Sequence, residues 1–592
     1  MTLRTIAATA ALGALALGLT AAAPAAAAPP GPPPGQDPLA GAVGLPEFGK
    51  VDFILGQDGG TLADFDDAVL HADADHPIPS GVSLFTSING VTPLNGLWSP
   101  VDYRVGRTDF EEVLSEYGGA LTIGLELIDY SQDLGTDGRN LGLRAIAGDP
   151  SVDAATVERY RSWVDELIRY ADATGRDVYL KIGYEFDGHW NNYEPEAYRA
   201  AFRFIADRID ALHATRVATV WQSAAWGAAI PEKAVVGADA YRAADAVLAG
   251  DADAHWDLWY PGDDVVDWMG ISRFASESAD DPGRPWSCDR GEPGDPDTEV
   301  VAPRALQDSL LDYARAHAKP VMVAESAPQG YDLGEHTVSC IFAVGAPAPW
   351  EQRTDVTTDE IWDEWFAPLF DFVRENRDVV RSITYINTDW DSQGVWSCTG
   401  PGACSAGYWG DTRLQADPEI LARVKAELSD GTVWTTGPDR VREFAAPDFS
   451  AGKGVYEAEY AEASTWLDCC GLGGLPQTAA TASNGREVMV MNFGDGGAGT
   501  YGVTFQGVRP GARIDVRLNS LKDGFEDSDA TFSVLVDGVR VGDPRLVPKL
   551  PFGEYATVSF SADVPAGADV TVQLDPNTGG NLIWLDRIVV GR

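Results

Sequence analysis

Between residues 49 and 430 the chain alternates eight short apolar runs with longer segments, several of which carry apolar residues at helical spacing. Strands are expected at 51–55, 82–85, 120–128, 177–180, 217–222, 265–271, 320–325 and 380–386. A helix follows the third run, with Val157, Tyr160, Val164, Leu167, Ile168 and Ala171 on one face and Gly175 as its stop. Another opens at Pro195 and carries Tyr198, Phe202, Ile205, Ile209 and Leu212. Further helices are expected at 305–317, 360–375 and 418–428. Alternation of this kind demands parallel strands joined by crossovers. Eight units predict a closed (β/α)8 barrel. The alternative is an open doubly wound sheet, but its phosphate-binding signatures are missing: no Gly-x-Gly-x-x-Gly follows the first strand and there is no P-loop.

The flanks read differently. Arg4, an apolar run at 6–19 and a small-residue stretch at 21–28 have the form of a secretory signal, so 1–28 is excluded from the fold and a secreted, extracellular protein is expected. Residues 29–48 are rich in Pro and Gly and read as an extended linker. A second linker is expected at 431–453. Residues 454–592 hold short alternating strands punctuated by Gly, Asp and Pro, expected at 454–461, 487–492, 499–506, 513–519, 531–536, 555–559, 569–574 and 583–590. That pattern predicts an all-β jelly-roll sandwich, which serves binding more often than catalysis.

Charge narrows the partners. With 90 acidic against 43 basic residues the formal net charge is −47, a surface that repels nucleic acid and anionic membranes. No later stretch is long and apolar enough to span a bilayer. Six cysteines in an exported chain suggest disulfides. Cys398 and Cys404 close a tight loop and are the favoured pair; Cys288–Cys340 would tie two long loops; Cys469 and Cys470 are adjacent and leave a vicinal bond or separate partners open. The seven His are scattered without zinc-ligand spacing. A monomer is expected.

The chemistry concentrates where two strands end. Lys181-Ile182-Gly183-Tyr184-Glu185-Phe186-Asp187-Gly188-His189-Trp190 continues the fourth strand, and Val321-Met322-Val323-Ala324-Glu325 forms the seventh. Strands four and seven face one another across an eight-stranded barrel, whose carboxyl-terminal rim carries the active site. Retaining glycoside hydrolysis needs one carboxylic acid to protonate the leaving oxygen and one carboxylate to attack the anomeric carbon. Glu185 and Glu325 are the candidates. Tyr184 and Gln222 are placed to hydrogen-bond a sugar or a carboxylate, and Trp190, Trp259 and Trp390 to stack on sugar rings. Asp187 and Asp389 read as loop-structuring acids.

These stretches resemble glycosidases of clan A, which place an acid/base Glu after strand four and a nucleophilic Glu after strand seven. Within the clan the chain is most similar to glycoside hydrolase family 26, through 181–190, through Trp259-Tyr260-Pro261-Gly262-Asp263-Asp264-Val265-Val266-Asp267-Trp268-Met269-Gly270-Ile271, and through 321–325. The resemblance implies that Glu185 is the acid/base, Glu325 the nucleophile and Trp390 a floor beneath the sugar. Two departures stand out. Tyr184 occupies the place of the family's His, and Arg273-Phe274 the region where a Tyr would face the nucleophile. At the other end, Val455-Tyr456-Glu457-Ala458-Glu459-Tyr460 and Trp584-Leu585-Asp586-Arg587-Ile588 resemble carbohydrate-binding modules of families 6 and 35. That likeness implies a structural calcium on Glu457, Glu459 and Asp586, with Trp466, Asn581 and Trp584 as sugar contacts. The expectation is a secreted, retaining endo-β-glycosidase with no organic cofactor, acting on β-mannan first and on β-glucan or xylan next. The alternative is a carbohydrate-binding protein on the same scaffold that has lost turnover.

Overall fold

The structure is a computed structural model. It describes residues 37–591 apart from 38, 40, 89–92, 95, 98–100, 103–104, 130–139, 189, 192, 226–251, 275–302, 340–352, 398–407, 438–454, 459–460, 464–471, 479–485, 493–499, 509, 522–530, 552–553, 566 and 577–581. All six cysteines, together with His189, Glu459, Trp466 and Asn581, lie outside the described residues.

Eight strands form the first domain: β1 (Val51–Gly56), β2 (Gly81–Ser87), β3 (Ala120–Glu126), β4 (Val178–Ile182), β5 (Val217–Ser223), β6 (Trp268–Arg273), β7 (Val321–Ser326) and β8 (Val380–Ile386). Each pairs in parallel with its sequence neighbours, and β8 pairs in parallel with β1, so the sheet closes. The barrel and the terminal β-sandwich are as expected. Strands buried on both faces explain why these segments read as continuous apolar runs.

The helices close the outside. Ala154–Ala173 is capped by Asp153, whose carboxylate accepts from Ala155 N and Thr156 N. Its Tyr160, Val164, Leu167, Ile168 and Ala171 are buried against the sheet. Pro195–Ala211 starts on a proline, which costs no hydrogen bond in a first turn. Inside the barrel, Ile54, Tyr179, Ala218, Val220, Trp268, Met322 and Ala324 make a separate apolar cluster. Tyr179, Ala218, Val220, Trp268 and Met322 therefore fix which alternate positions of β4 to β7 face inward.

Three boundaries differ from the sequence reading. The sixth strand starts at Trp268, because Val265 and Val266 donate backbone N–H groups to Gly262 O in a turn. The described part of 37–48 is not a free linker. Val43 and Leu45 pack on the interior cluster, Trp268 Nε1 donates to Val43 O at 2.9 Å and Tyr179 OH to Gly44 O at 2.5 Å. The fully buried Arg381 reaches Asp37 Oδ2 at 2.6 Å and donates to the carbonyls of Pro46 and Glu47. A guanidinium at the barrel's lower end needs this strap to satisfy its five donors. The second linker likewise begins later than 431, since Trp434–Thr435 pairs in parallel with β1 and Trp434 is buried.

The C-terminal region forms two antiparallel sheets around one apolar core. One sheet runs Leu472–Thr478, Arg486–Asn492, Leu582–Gly591, Gly511–Leu521, with Val455–Glu457 and Ala556–Val564 also pairing into it; the other runs Glu462–Ala463, Tyr501–Val508, Ala568–Leu574, Thr531–Val536, Val539–Leu546. Leu472–Thr478 and Val539–Leu546 were not expected from the sequence, because Gly and Pro within them read as turns. Both are edge strands, where Pro476 and Pro544 sacrifice no ladder bond inside the sheet. Among the described residues no helix is long and apolar enough to cross a membrane.

Candidate active site

The site is built from the topmost inward positions of β4, β5, β6 and β7. On β4, Lys181 follows Tyr179 by two residues and so faces the interior; Gln222 on β5 follows Val220, and Ser272 on β6 follows Trp268 and Gly270 in the same way. On β7, strict alternation would send Glu325 outward with Val321 and Val323. The strand instead carries one residue more than either neighbour: Ile271 to Ser272 on β6 spans Val323 to Glu325, and Ile383 to Tyr385 on β8 spans Val323 to Ser326. This bulge resets the alternation and turns Glu325 inward after Ala324.

Glu185 reaches the same place from a turn. The strand ends at Ile182, and both Gly183 (φ 53°) and Glu185 (φ 51°) are left-handed, a strained conformation for a glutamate. Neighbours hold it there. Phe186 is fully buried, its ring stacked on Trp221 at 4.6 Å, and its N–H donates to Gln222 O. Asn191 Nδ2 donates to the carbonyls of Tyr184 and Glu185 at 2.9 and 2.8 Å. Trp190 folds back over Gly188, where a Cβ would come within 2.5 Å of the indole and would have to displace it.

A continuous hydrogen-bond chain joins the two glutamates. Lys181 Nζ, with no exposed surface, lies 2.8 Å from Glu325 Oε1. Gln222 Nε2 donates to the same oxygen and to Ser272 Oγ, both at 3.1 Å. Ser272 Oγ donates to Glu185 Oε1 at 2.7 Å, and Trp190 Nε1 to Glu185 Oε2 at 2.9 Å. The 2.7, 3.1 and 3.1 Å links cap the separation of the bonded carboxylate oxygens at about 9 Å, a limit that spans both the close spacing of retaining pairs and the wider spacing of inverting ones.

The two acids differ in surroundings. The carboxyl of Glu185 is pushed up to about 8, first by desolvation, then by the charge of Glu325; the hydrogen bonds from Ser272 and Trp190 and the charge of Lys181 pull it back. Its side chain keeps some accessible surface, so it is both desolvated by dense surroundings and open to the rim. Glu325 is buried and paired with a buried ammonium.

Of the residues expected here, Glu185, Glu325, Tyr184, Trp190 and Gln222 come together. Tyr184 is half-buried, edge-on to Phe85 at 5.1 Å, and the Lys181 ammonium lies over the Phe85 ring at 4.3 Å. Gln222 contacts a carboxylate, as anticipated. Trp259 does not join the site: it is buried among Phe186 and Tyr198, in the packing between barrel and helices. Trp390 is 2% exposed, donates Nε1 to Thr412 Oγ1, and packs on Trp409 and Trp396, so it offers little face to a sugar. Trp190, 40% exposed, is the aromatic surface beside the carboxylates. Asp187 braces the loop by accepting from Ser223 Oγ, Ala224 N and His255 Nε2. Asp389 does likewise for Ser392 N.

Two residues of this hydrogen-bond chain escaped the sequence reading. Lys181 left a signal, a cation in an apolar strand two residues after an inward tyrosine. Ser272 left none, being a small hydroxyl at a strand end. Arg273, beside it, points away onto Phe372 and Gln307.

No family model matches the chain. Curated relatives do. Two of them are β-1,3-xylanases. The chain is 30% identical over 378 residues to β-1,3-xylanase TXYA of a Vibrio species, covering 64% of this chain and 64% of that protein. It is also 30% identical over 368 residues to a β-1,3-xylanase of an Alcaligenes species, covering 62% and 61%. The chain thus matches less than two thirds of the length of either relative. Among solved structures, Bacillus subtilis mannanase BCman overlaps 68% of this chain and 92% of its own at 10% identity and a TM-score of 0.34. A family 6 carbohydrate-binding module of Clostridium cellulolyticum in complex with xylose overlaps 23% of this chain and 96% of its own at 17% identity and a TM-score of 0.17. Overlaps this slight carry no part of the chemistry.

Of the expected calcium set, Asp586 is the residue whose side chain is described. Asp586 is fully buried, and its Oδ2 accepts from Arg517 Nη1. A guanidinium thus occupies one oxygen of the acid whose side chain is described in the expected calcium set. Trp584, expected to touch sugar, is 5% exposed.

Proposed function

We propose that this chain is a retaining endo-β-glycosidase acting on a β-linked polysaccharide, with β-1,3-xylan ahead of β-mannan. The Glu185/Glu325 pair at the barrel rim, linked through Ser272 and Gln222, carries the reading. The two β-1,3-xylanase relatives favour the substrate.

In the first step Glu325 attacks the anomeric carbon while Glu185 gives its proton to the glycosidic oxygen. The glycosidic bond breaks, a bond from sugar to Glu325 forms, and the aglycone leaves with the proton. In the second step Glu185, now ionised, takes a proton from water as that water attacks the same carbon and releases Glu325. Each acid suits its part. Lys181 compensates the charge of the attacking carboxylate, and desolvation with a neighbouring charge keeps Glu185 protonated near neutral pH. Trp190 is placed to stack on a sugar unit next to the cleaved bond. The C-terminal sandwich would hold the polymer near the barrel, raising its local concentration. The signal-like N-terminus supports export.

The experiment is reducing-end release from β-1,3-xylan, β-1,4-xylan, β-mannan and β-glucan. Release that disappears in both Glu185→Ala and Glu325→Ala supports the reading, and product anomers read by NMR decide retention. Binding without release would make the chain a carbohydrate-binding protein.

A further inference from the structure

Gln222 holds an orientation it cannot exchange. An ionised carboxylate only accepts hydrogen bonds, so the amide nitrogen must face Glu325. Its two hydrogens go to Glu325 Oε1 and Ser272 Oγ, each at 3.1 Å. The amide oxygen is buried without a partner, a cost that shows how strongly the nitrogen side is held. Ser272 Oγ therefore accepts from Gln222, and its one hydrogen is directed to Glu185 Oε1 at 2.7 Å. Trp190 Nε1, which can only donate, meets Glu185 Oε2. Both oxygens of Glu185 thus face donors on the protein side. A proton on that carboxyl has its outlet on the lone pairs that these two donors leave free.

We propose that Ser272 and Gln222 are positioning residues for the acid: Gln222 locks the Ser272 hydroxyl as a donor to Glu185, and this aims the proton of Glu185 away from the barrel wall and toward the bound glycoside. The inference rests on the glycosidase reading for its purpose but not for its test. The charged groups bearing on Glu185 are Glu325 from β7 and Lys181 from β4, and substitutions at Ser272 and Gln222 leave both in place. Loss of the Ser272 donor removes an interaction that favours the ionised form, so the carboxyl of Glu185 titrates at higher pH.

The test uses the full chain and needs no turnover. The carboxyl band that vanishes in Glu185→Gln is followed by infrared difference spectroscopy as a function of pH. Ser272→Ala is expected to move that titration up by about one pH unit. Ser272→Thr, which keeps the hydroxyl, restores it. Gln222→Ala frees the hydroxyl to turn and shifts the titration the same way, and the double variant goes no further than either single one. With an active substrate in hand, the alkaline limb of kcat/KM moves in step. An unmoved titration in Ser272→Ala, or shifts from the two sites that simply add, overturns the proposal. Absence of polysaccharide cleavage by the parent chain would instead strike the glycosidase reading and leave the spectroscopic result to stand by itself.

Discussion

The ammonium of Lys181 sits 2.8 Å from Glu325 Oε1 in a layer where the lysine has no exposed surface and the glutamate almost none. Two buried opposite charges at this distance are worth more in what their separation costs than in what their pairing adds. The pair also explains why an otherwise apolar strand carries a lysine.

Lys181→Met should therefore leave the Glu325 charge uncompensated. Breaking a buried pair costs roughly 3–5 kcal/mol, so denaturant midpoints should fall and kcat/KM should drop by two orders of magnitude or more on the responsive polysaccharide. Chemical denaturation alongside steady-state kinetics checks both. Unchanged kcat/KM with lowered stability would confine Lys181 to a scaffolding part.

The acid limb and the base limb of activity depend on which form of each carboxyl is needed. Glu185 must be protonated, and its carboxyl is held near 8, so kcat/KM should decline above about pH 8. Replacing Glu185 removes that limb together with the activity. A pH–rate profile that already falls from pH 5 upward would contradict the assignment.

Stability carries the same information with its own sign. The folded chain holds a proton on Glu185 up to about 8, whereas an unfolded glutamate releases it near 4.5. Between those values the folded state binds more protons, so this group's contribution is present at low pH and is lost as pH rises through that window. Glu185→Gln should thus melt higher than the parent, by a margin that grows from pH 5 to pH 8. Calorimetry at several pH values tests it, and a margin that shrinks with pH counts against the raised carboxyl.

Trp190 combines a donor and a face. Trp190→Phe keeps most of the ring but loses the bond to Glu185 Oε2, so the alkaline limb should move up with a modest rise in KM. Trp190→Ala loses both, and KM for the polymer should rise about tenfold, in keeping with one lost aromatic stack. Equal KM in the two variants would remove the stacking assignment.

The strap beneath the barrel makes a prediction far from the chemistry. Arg381→Met abandons Asp37 and the carbonyls of Pro46 and Glu47 that the guanidinium satisfies. A loss of about 3 kcal/mol is expected, with proteolysis appearing first near residues 37–48. Limited digestion with mass spectrometry of the fragments reads it out.

Much of the barrel could be read from the sequence, because a strand buried on both faces announces itself as an unbroken apolar run, as in 321–324, and an amphipathic helix by its spacing, as in 154–173. Glu185 and Glu325 were legible because each ends such a run. Trp259 and Trp390 were misjudged as sugar contacts, since a tryptophan near a barrel rim looks the same in sequence whether it fills a core or faces water. Edge strands carrying Pro476 and Pro544 passed for loops, because edge position is a property of the sheet and not of the segment. Ser272 was silent: its importance lies in one hydrogen pointed by Gln222, and no periodicity records that.

The extra residue in β7 makes the orientation of Glu325 a question of counting. Val321 and Val323 look outward, so a seventh strand of the same length without the bulge would deliver the Glu325 side chain to the helices and leave Lys181 without its partner. Substituting Ala324 alters a contact; deleting it would remove the bulge and leave the glutamate inward by plain alternation after Met322. Among proteins that share this sheet, a glutamate one place earlier on an unbulged strand would therefore aim its carboxylate at the same point.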